Sequence, residues 1–214
     1  MKRRRRVLLA DDHAIVLEGL RRVLERDFEI VGEVADGRAL VDAAATLRPD
    51  IIVTDISMPL LNGIEATRQI RKLNRRVKIV FLTMHADVTY AAEALGAGGS
   101  AYVLKSSAGA RLLDAIGEAL GGRIYVTPSI DREVLRVQME QAGRRDDLQT
   151  QLTPRQREVL QLLAEGKSLK EVAAILKISI KTAEFHKYRI MKQLGVRTNA
   201  EMTKYAVKLG LSAL

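Results

Sequence analysis

The sequence predicts a doubly wound α/β domain followed by an all-helical one. In the first 122 residues, five short apolar runs alternate with five stretches of helical period. That alternation builds a parallel sheet with helices on both faces. After Gly121-Gly122 it stops, and from residue 152 to 211 only helical periods remain. A chain of 214 residues is long for one compact domain and comfortable for two small ones.

The first domain is read element by element. The runs at 7–10, 30–34, 51–54, 78–83 and 101–104 are nearly continuous in apolar residues, as strands buried on both faces of a sheet are. Helical stretches lie between and after them at 13–26, 38–47, 63–73, 86–96 and 108–121. Right-handed crossovers distribute these helices over both sides. The expected strand order is 2-1-3-4-5, the flavodoxin-like arrangement, with five parallel strands.

Residues 123–147 read as a linker holding one short helix around 131–141, then a polar joint that includes Gly143-Arg144-Arg145-Asp146-Asp147. In the second domain, Thr153 and Pro154 open a helix as N-cap and first residue. Gly166 closes it, and Ser168 with Glu171 three residues on forms a capping box for the next. A third helix runs over 180–194 to Gly195, and a fourth over 199–209. Two short helices before a longer basic one is the helix-turn-helix layout. The domains are therefore 1–122, a linker at 123–147, and 148–214.

Composition narrows the functional classes. Cysteine is absent, which excludes disulfides, a thiol nucleophile and a thiolate metal site. The basic leader Lys2-Arg3-Arg4-Arg5-Arg6 is followed by only four apolar residues, too few for a secretory signal. No run approaches the roughly 18 apolar residues of a membrane span, so no membrane partner is expected and the cytoplasm is. The net charge of +9 is unevenly spread: residues 152–214 hold 12 basic and five acidic residues. Such a segment suits a polyanion.

Asp11 and Asp12 end the first strand and Asp55 ends the third. In an open parallel sheet, sites form at the carboxyl ends of strands where the order reverses, so the three carboxylates are expected to converge. Their mutual repulsion is relieved by a hard divalent cation, with Mg²⁺ the usual choice. A carboxylate beside Mg²⁺ is also a nucleophile towards a phosphoryl group. Thr83 ends strand four with a hydroxyl, and Lys105 ends strand five with a cation for phosphoryl oxygens. His85 is assigned no catalytic role.

With Met58-Pro59, Gly63 and Tyr102, these residues make the segment resemble the response-regulator receiver family. The resemblance implies that Asp55 is phosphorylated by a sensor histidine kinase, or slowly by small phosphodonors. It implies that Asp11, Asp12, Asp55 and the backbone carbonyl of Ser57 hold Mg²⁺. It further implies that Thr83 moves to the phosphoryl group while Tyr102 turns inward. Met84 stands where many receivers have a smaller residue, and Ser106 follows Lys105 where proline is common; neither departure removes a chemical group.

On a helical wheel of 180–194, Ala183, His186, Ile190 and Leu194 share one side, while Lys181, Glu184, Phe185, Tyr188 and Lys192 share the other. Aromatics among lysines on an outward face suit a helix in the DNA major groove. The stretch from Leu152-Thr153-Pro154 through Lys181-Thr182, Phe185-His186 and Leu194-Gly195-Val196 resembles LuxR/FixJ-type DNA-binding domains. Leu169 and Ala183 depart from the common asparagine and valine. Together the two segments resemble the NarL/FixJ class. That likeness implies a transcriptional regulator that binds double-stranded DNA, through Lys181, Thr182, Glu184, Phe185, Tyr188 and Lys192, and forms a homodimer when phosphorylated. An enzyme with a separate substrate is disfavoured: the Asp-x-Asp motif of HAD-like phosphatases is missing, since Ile56-Ser57 follows Asp55.

Overall fold

The computed structural model describes residues 3–142 and 152–212. The chain divides into two compact units, the first built mainly on residues up to 142 and the second on residues from 152.

In the first unit, β1 (Arg6–Ala10), β2 (Glu29–Val34), β3 (Ile51–Thr54), β4 (Lys78–Thr83), β5 (Ala101–Leu104) and β6 (Tyr125–Val126) form one sheet. Its order is β2-β1-β3-β4-β5-β6 and every neighbouring pair is parallel. The reversal between β1 and β3 is as expected. The strand number is a correction: five were expected and six are present among the described residues. A two-residue strand carries no period that a sequence could display. β6 exists through its pairing with Ala101 and Tyr102, in a segment read as linker.

Five helices flank the sheet: α1 (Ala14–Leu24), α2 (Gly37–Leu47), α3 (Gly63–Leu73), α4 (Val88–Gly96) and α5 (Ala108–Leu120). Asp36, Asn62 and Asp87 cap α2, α3 and α4, each side chain accepting from first-turn amides. Alternate strand residues sort the core into two layers. Val7, Leu9, Ile51, Val53, Val80, Leu82, Ala101 and Val103 pack with α1 and α5. The intervening Leu8, Ile52, Ile79, Phe81 and Tyr102 are also fully buried. After β6, Asp131 Oδ1 accepts from the amides of Glu133 and Val134 and starts α6 (Arg132–Ala142). Ile130 and Leu135 are buried, and α6 packs on α4.

The second unit contains α7 (Pro154–Ala164), α8 (Leu169–Leu176), α9 (Ile180–Leu194) and α10 (Asn199–Lys208). Complete capping boxes open α7, α8 and α10, and Ser179 caps α9. Gly195 ends α9 at φ 67°, a left-handed conformation that glycine adopts without steric cost. Val159, Leu160, Leu162, Val172, Leu176, Ala183, Ile190, Met202 and Ala206 form one core. No described helix is long and apolar enough to cross a membrane.

Candidate functional site

The carboxyl edge of the sheet gathers charges from three strand ends. Asp11 and Asp12 follow β1, Asp55 follows β3, and Lys105 follows β5. Asp11 and Asp55 are buried, at 1% and 5% exposure, while Asp12 lies at the rim. Register does this: β1 pairs β3 with Ala10 beside Thr54, so the next residue of each strand faces the same mouth.

Lys105 Nζ stands 2.6 Å from Asp55 Oδ2 and 2.7 Å from Asp11 Oδ2. Asp55 Oδ1 accepts from the amides of Ile56 at 2.6 Å and Ser57 at 3.3 Å. Burial pushes the Asp55 carboxyl above the usual carboxylate range, and the Lys105 ammonium pulls only part of this back. Burial opposes the charge on Lys105, yet its bonds to Asp11 and Asp55 hold its pKa above the ordinary lysine value. The pocket is thus a desolvated cluster in which the Lys105 ammonium bridges two carboxylates.

A residue the sequence reading passed over completes the cluster. His13 Nδ1 lies 3.1 Å from Asp11 Oδ1 and 2.9 Å from Asp12 Oδ1. One ligand atom from each of Asp11, Asp12, His13 and Asp55 fits within 4.8 Å of the others. The Asp-Asp-His run after β1 was the available signal. Gly63 belongs here for closeness as much as for turning: a Cβ there would sit 2.0 Å from the Asp55 carbonyl oxygen. The amide of Gly63 donates to Ile56 O at 2.8 Å, closing the turn below Asp55.

The donor set can hold a metal. Asp11 Oδ2 is buried without a hydrogen bond of good geometry and meets Lys105 only as an ion pair. Carboxylate oxygens are the hard donors that Mg²⁺ takes, whereas imidazole suits softer ions.

Thr83 and Tyr102 both bond the backbone of His85. Thr83 is fully buried, and its Oγ1 accepts from the His85 amide at 3.2 Å. Tyr102 is fully buried and its hydroxyl donates to the His85 carbonyl at 2.8 Å, so its inward position is the one seen. Burial holds the phenol well above its ordinary pKa, which keeps it a donor. The His85 ring stacks on Tyr90 at 4.2 Å, and its Nε2 is 2.8 Å from Ser57 Oγ. His85 therefore ties together the loops after β3 and β4, a role no single-residue reading displays. Met84 stands 73% exposed at the rim.

In the second unit, α9 presents a separate face. Ala183 and Ile190 are fully buried, and His186 and Leu194 are half-buried. Burial, with the charge of Arg155, lowers the pKa of His186. Lys181, Glu184, Phe185, Tyr188 and Lys192 are exposed, with Phe185 at 53% and Tyr188 at 64%. Thr182 is half-buried and bonds to Ser179. Arg189, absent from the expected set, lies 5.0 Å over the Phe185 ring. Its i+4 spacing from Phe185 was the signal.

Residues 7–117 match the family model described as response regulator receiver domain, and residues 150–206 match bacterial regulatory proteins, luxR family. Response regulator UvrY of Escherichia coli K12 is 31% identical over 207 residues, covering 96% of this chain and 94% of that protein. Oxygen regulatory protein NreC of Staphylococcus aureus is 34% identical over 210 residues, covering 95% and 97%. Among solved structures, RcsB from Salmonella enterica bound to promoter rprA with the phosphomimetic BeF3⁻ matches with a TM-score of 0.62. It shows 31% identity and covers 96% of this chain and 99% of that one.

Proposed function

The chain belongs to the two-component response regulators of the NarL/FixJ class, with a receiver domain and a LuxR-type DNA-binding domain, and from this premise we propose that Asp55 is its phosphoacceptor. The observation that carries the reading is the Lys105 ammonium, within 2.7 Å of both Asp11 and Asp55. An Asp55 carboxylate oxygen attacks the phosphorus of a sensor kinase's phosphohistidine. A P–O bond forms, the P–N bond breaks, and the imidazole leaves with its electron pair and takes a proton from solvent. Lys105 then stands beside the new phosphoryl oxygens, where an ion pair with them replaces part of its bond to Asp55.

Asp11, Asp12, Asp55 and the Ser57 carbonyl would hold Mg²⁺, which when bound supplies positive charge against the phosphoryl oxygens. Thr83 offers its hydroxyl to the phosphoryl group. In doing so it loosens the His85 amide, and the His85 carbonyl is what Tyr102 holds. Thr83, Tyr102 and Lys105 thereby pass occupancy of Asp55 to β4, β5 and the start of α4. Phosphorylation promotes homodimerisation and binding to double-stranded DNA. Lys181 and Lys192 meet phosphates, while Thr182, Glu184, Phe185 and Tyr188 lie towards base edges. The protein works in the cytoplasm, has no substrate besides its phosphodonor and acyl phosphate, and reads DNA with residues 148–214.

The test is incubation with acetyl phosphate and Mg²⁺. One phosphoryl group labile to hydroxylamine is expected on the wild type and none on Asp55→Asn. An acyl phosphate formed at the wild-type rate on the variant would remove Asp55 from this role.

A further inference from the structure

β5 ends at Leu104, and Lys105 is the next residue. The placement of its ammonium therefore depends on what holds Leu104. β6 pairs only as far as Tyr102, through Val126, and the grip on the end of β5 comes from the following residue, Thr127. Its amide donates to the Tyr102 carbonyl at 3.0 Å. Its Oγ1 accepts from the Leu104 amide at 3.1 Å and lies 3.3 Å from the same Tyr102 carbonyl, to which it donates. Ser107 Oγ donates to the Leu104 carbonyl at 3.1 Å. Thr127 is 4% exposed, so water does not replace its hydroxyl if that is lost, and the Leu104 amide is left without a partner.

Leu104 lies two residues after Tyr102 and one before Lys105, two of the three switch residues, and the Thr127 hydroxyl holds the backbone between them. The same segment continues through buried Ile130 into α6, which packs on α4. We infer, on the reading of Asp55 as phosphoacceptor, that Thr127 is a positioning residue of the phosphorylation site. Its hydroxyl sets the root of Lys105 and hence the ammonium between Asp11 and Asp55. The strand after the receiver's last helix is on this view part of the switch.

The test uses the full chain and acetyl phosphate with Mg²⁺, following phosphoryl uptake by intact mass beside a thermal melt. Thr127→Val keeps the shape and removes the hydroxyl, and uptake about fivefold slower is expected, the scale of one lost buried hydrogen bond. Thr127→Ser restores the hydroxyl and is expected within about twofold of wild type. Ile130→Ala loosens the same segment by a cavity, so it is expected to lower Tm with uptake again within about twofold. If the valine variant does not fold, Thr127→Ala carries the same comparison. Uptake at the wild-type rate in Thr127→Val, or equal slowing in Ile130→Ala, overturns this role for Thr127 alone. A wild type that takes no phosphoryl group overturns the phosphoacceptor reading and the positioning role with it.

Discussion

The acidic pocket and the outer face of α9 are both built on charge, yet they work by opposite means. In the pocket, Asp11 and Asp55 are almost wholly removed from water and face Lys105, which is itself largely buried. On α9, Tyr188 and Phe185 stand more than half exposed among exposed lysines. A buried charge deprived of its partner keeps its desolvation cost, so single substitutions there are severe. An exposed charge is hydrated and screened, and its loss is felt only when a polyanion arrives. The pocket is a preset device, and the helix face acquires its energy on binding.

Lys105→Ala gives the sharpest contrast. It leaves two buried carboxylates facing each other, and a loss of about 3–5 kcal/mol in Mg²⁺-free buffer is expected by urea denaturation. Added Mg²⁺ should recover much of it by binding the folded state. A loss below about 1 kcal/mol would put the pocket in the same screened regime as the helix surface.

On α9, Tyr188→Ala is expected to cost about 1–3 kcal/mol on the preferred DNA site and much less on scrambled duplex. Lys181→Ala and Lys192→Ala should weaken both duplexes alike and each lower the salt slope by about one unit. Fluorescence anisotropy at several salt concentrations measures both. Equal weakening by Tyr188→Ala on the two duplexes would mean that the helix docks by charge alone.

The smallest effect belongs to His186, which lies between the two regimes. Its folded pKa is depressed by burial and by Arg155. The unfolded chain therefore binds its proton more readily, and stability falls as pH drops below the ordinary histidine value of about 6.5. Above that value the contribution is complete. Melting of the 148–214 fragment should show this slope, and His186→Gln should flatten it. A slope unchanged in the variant would place the titrating group elsewhere.

Most of the helix face was legible because helical position is a local property. Residues three and four apart share a side whatever the rest of the chain does, so buried Ala183 and Ile190 and exposed Tyr188 follow from spacing. Arg189 was missed although its partner Phe185 is one turn away. The pocket was legible only as residue types at strand ends. That Lys105 meets Asp55 across 50 residues is a fact of sheet register. His13 was passed over, and His85 and Gly63 were named without the contacts they make, because those contacts have no period to announce them.

Residue order alone settled the alternation of strands and helices, the caps at Thr153, Ser168 and Gly195, and the acidic and basic groups available at each strand end. These depend on neighbours within a turn or a pleat, where sterics and local hydrogen bonds dominate. Folding in three dimensions decided which carboxylates lose their water, that Tyr102 lies inward, and that Tyr125–Val126 becomes a sixth strand. Burial and strand pairing depend on chain segments distant in sequence, and desolvation gives a charge its chemistry only once those segments have closed around it.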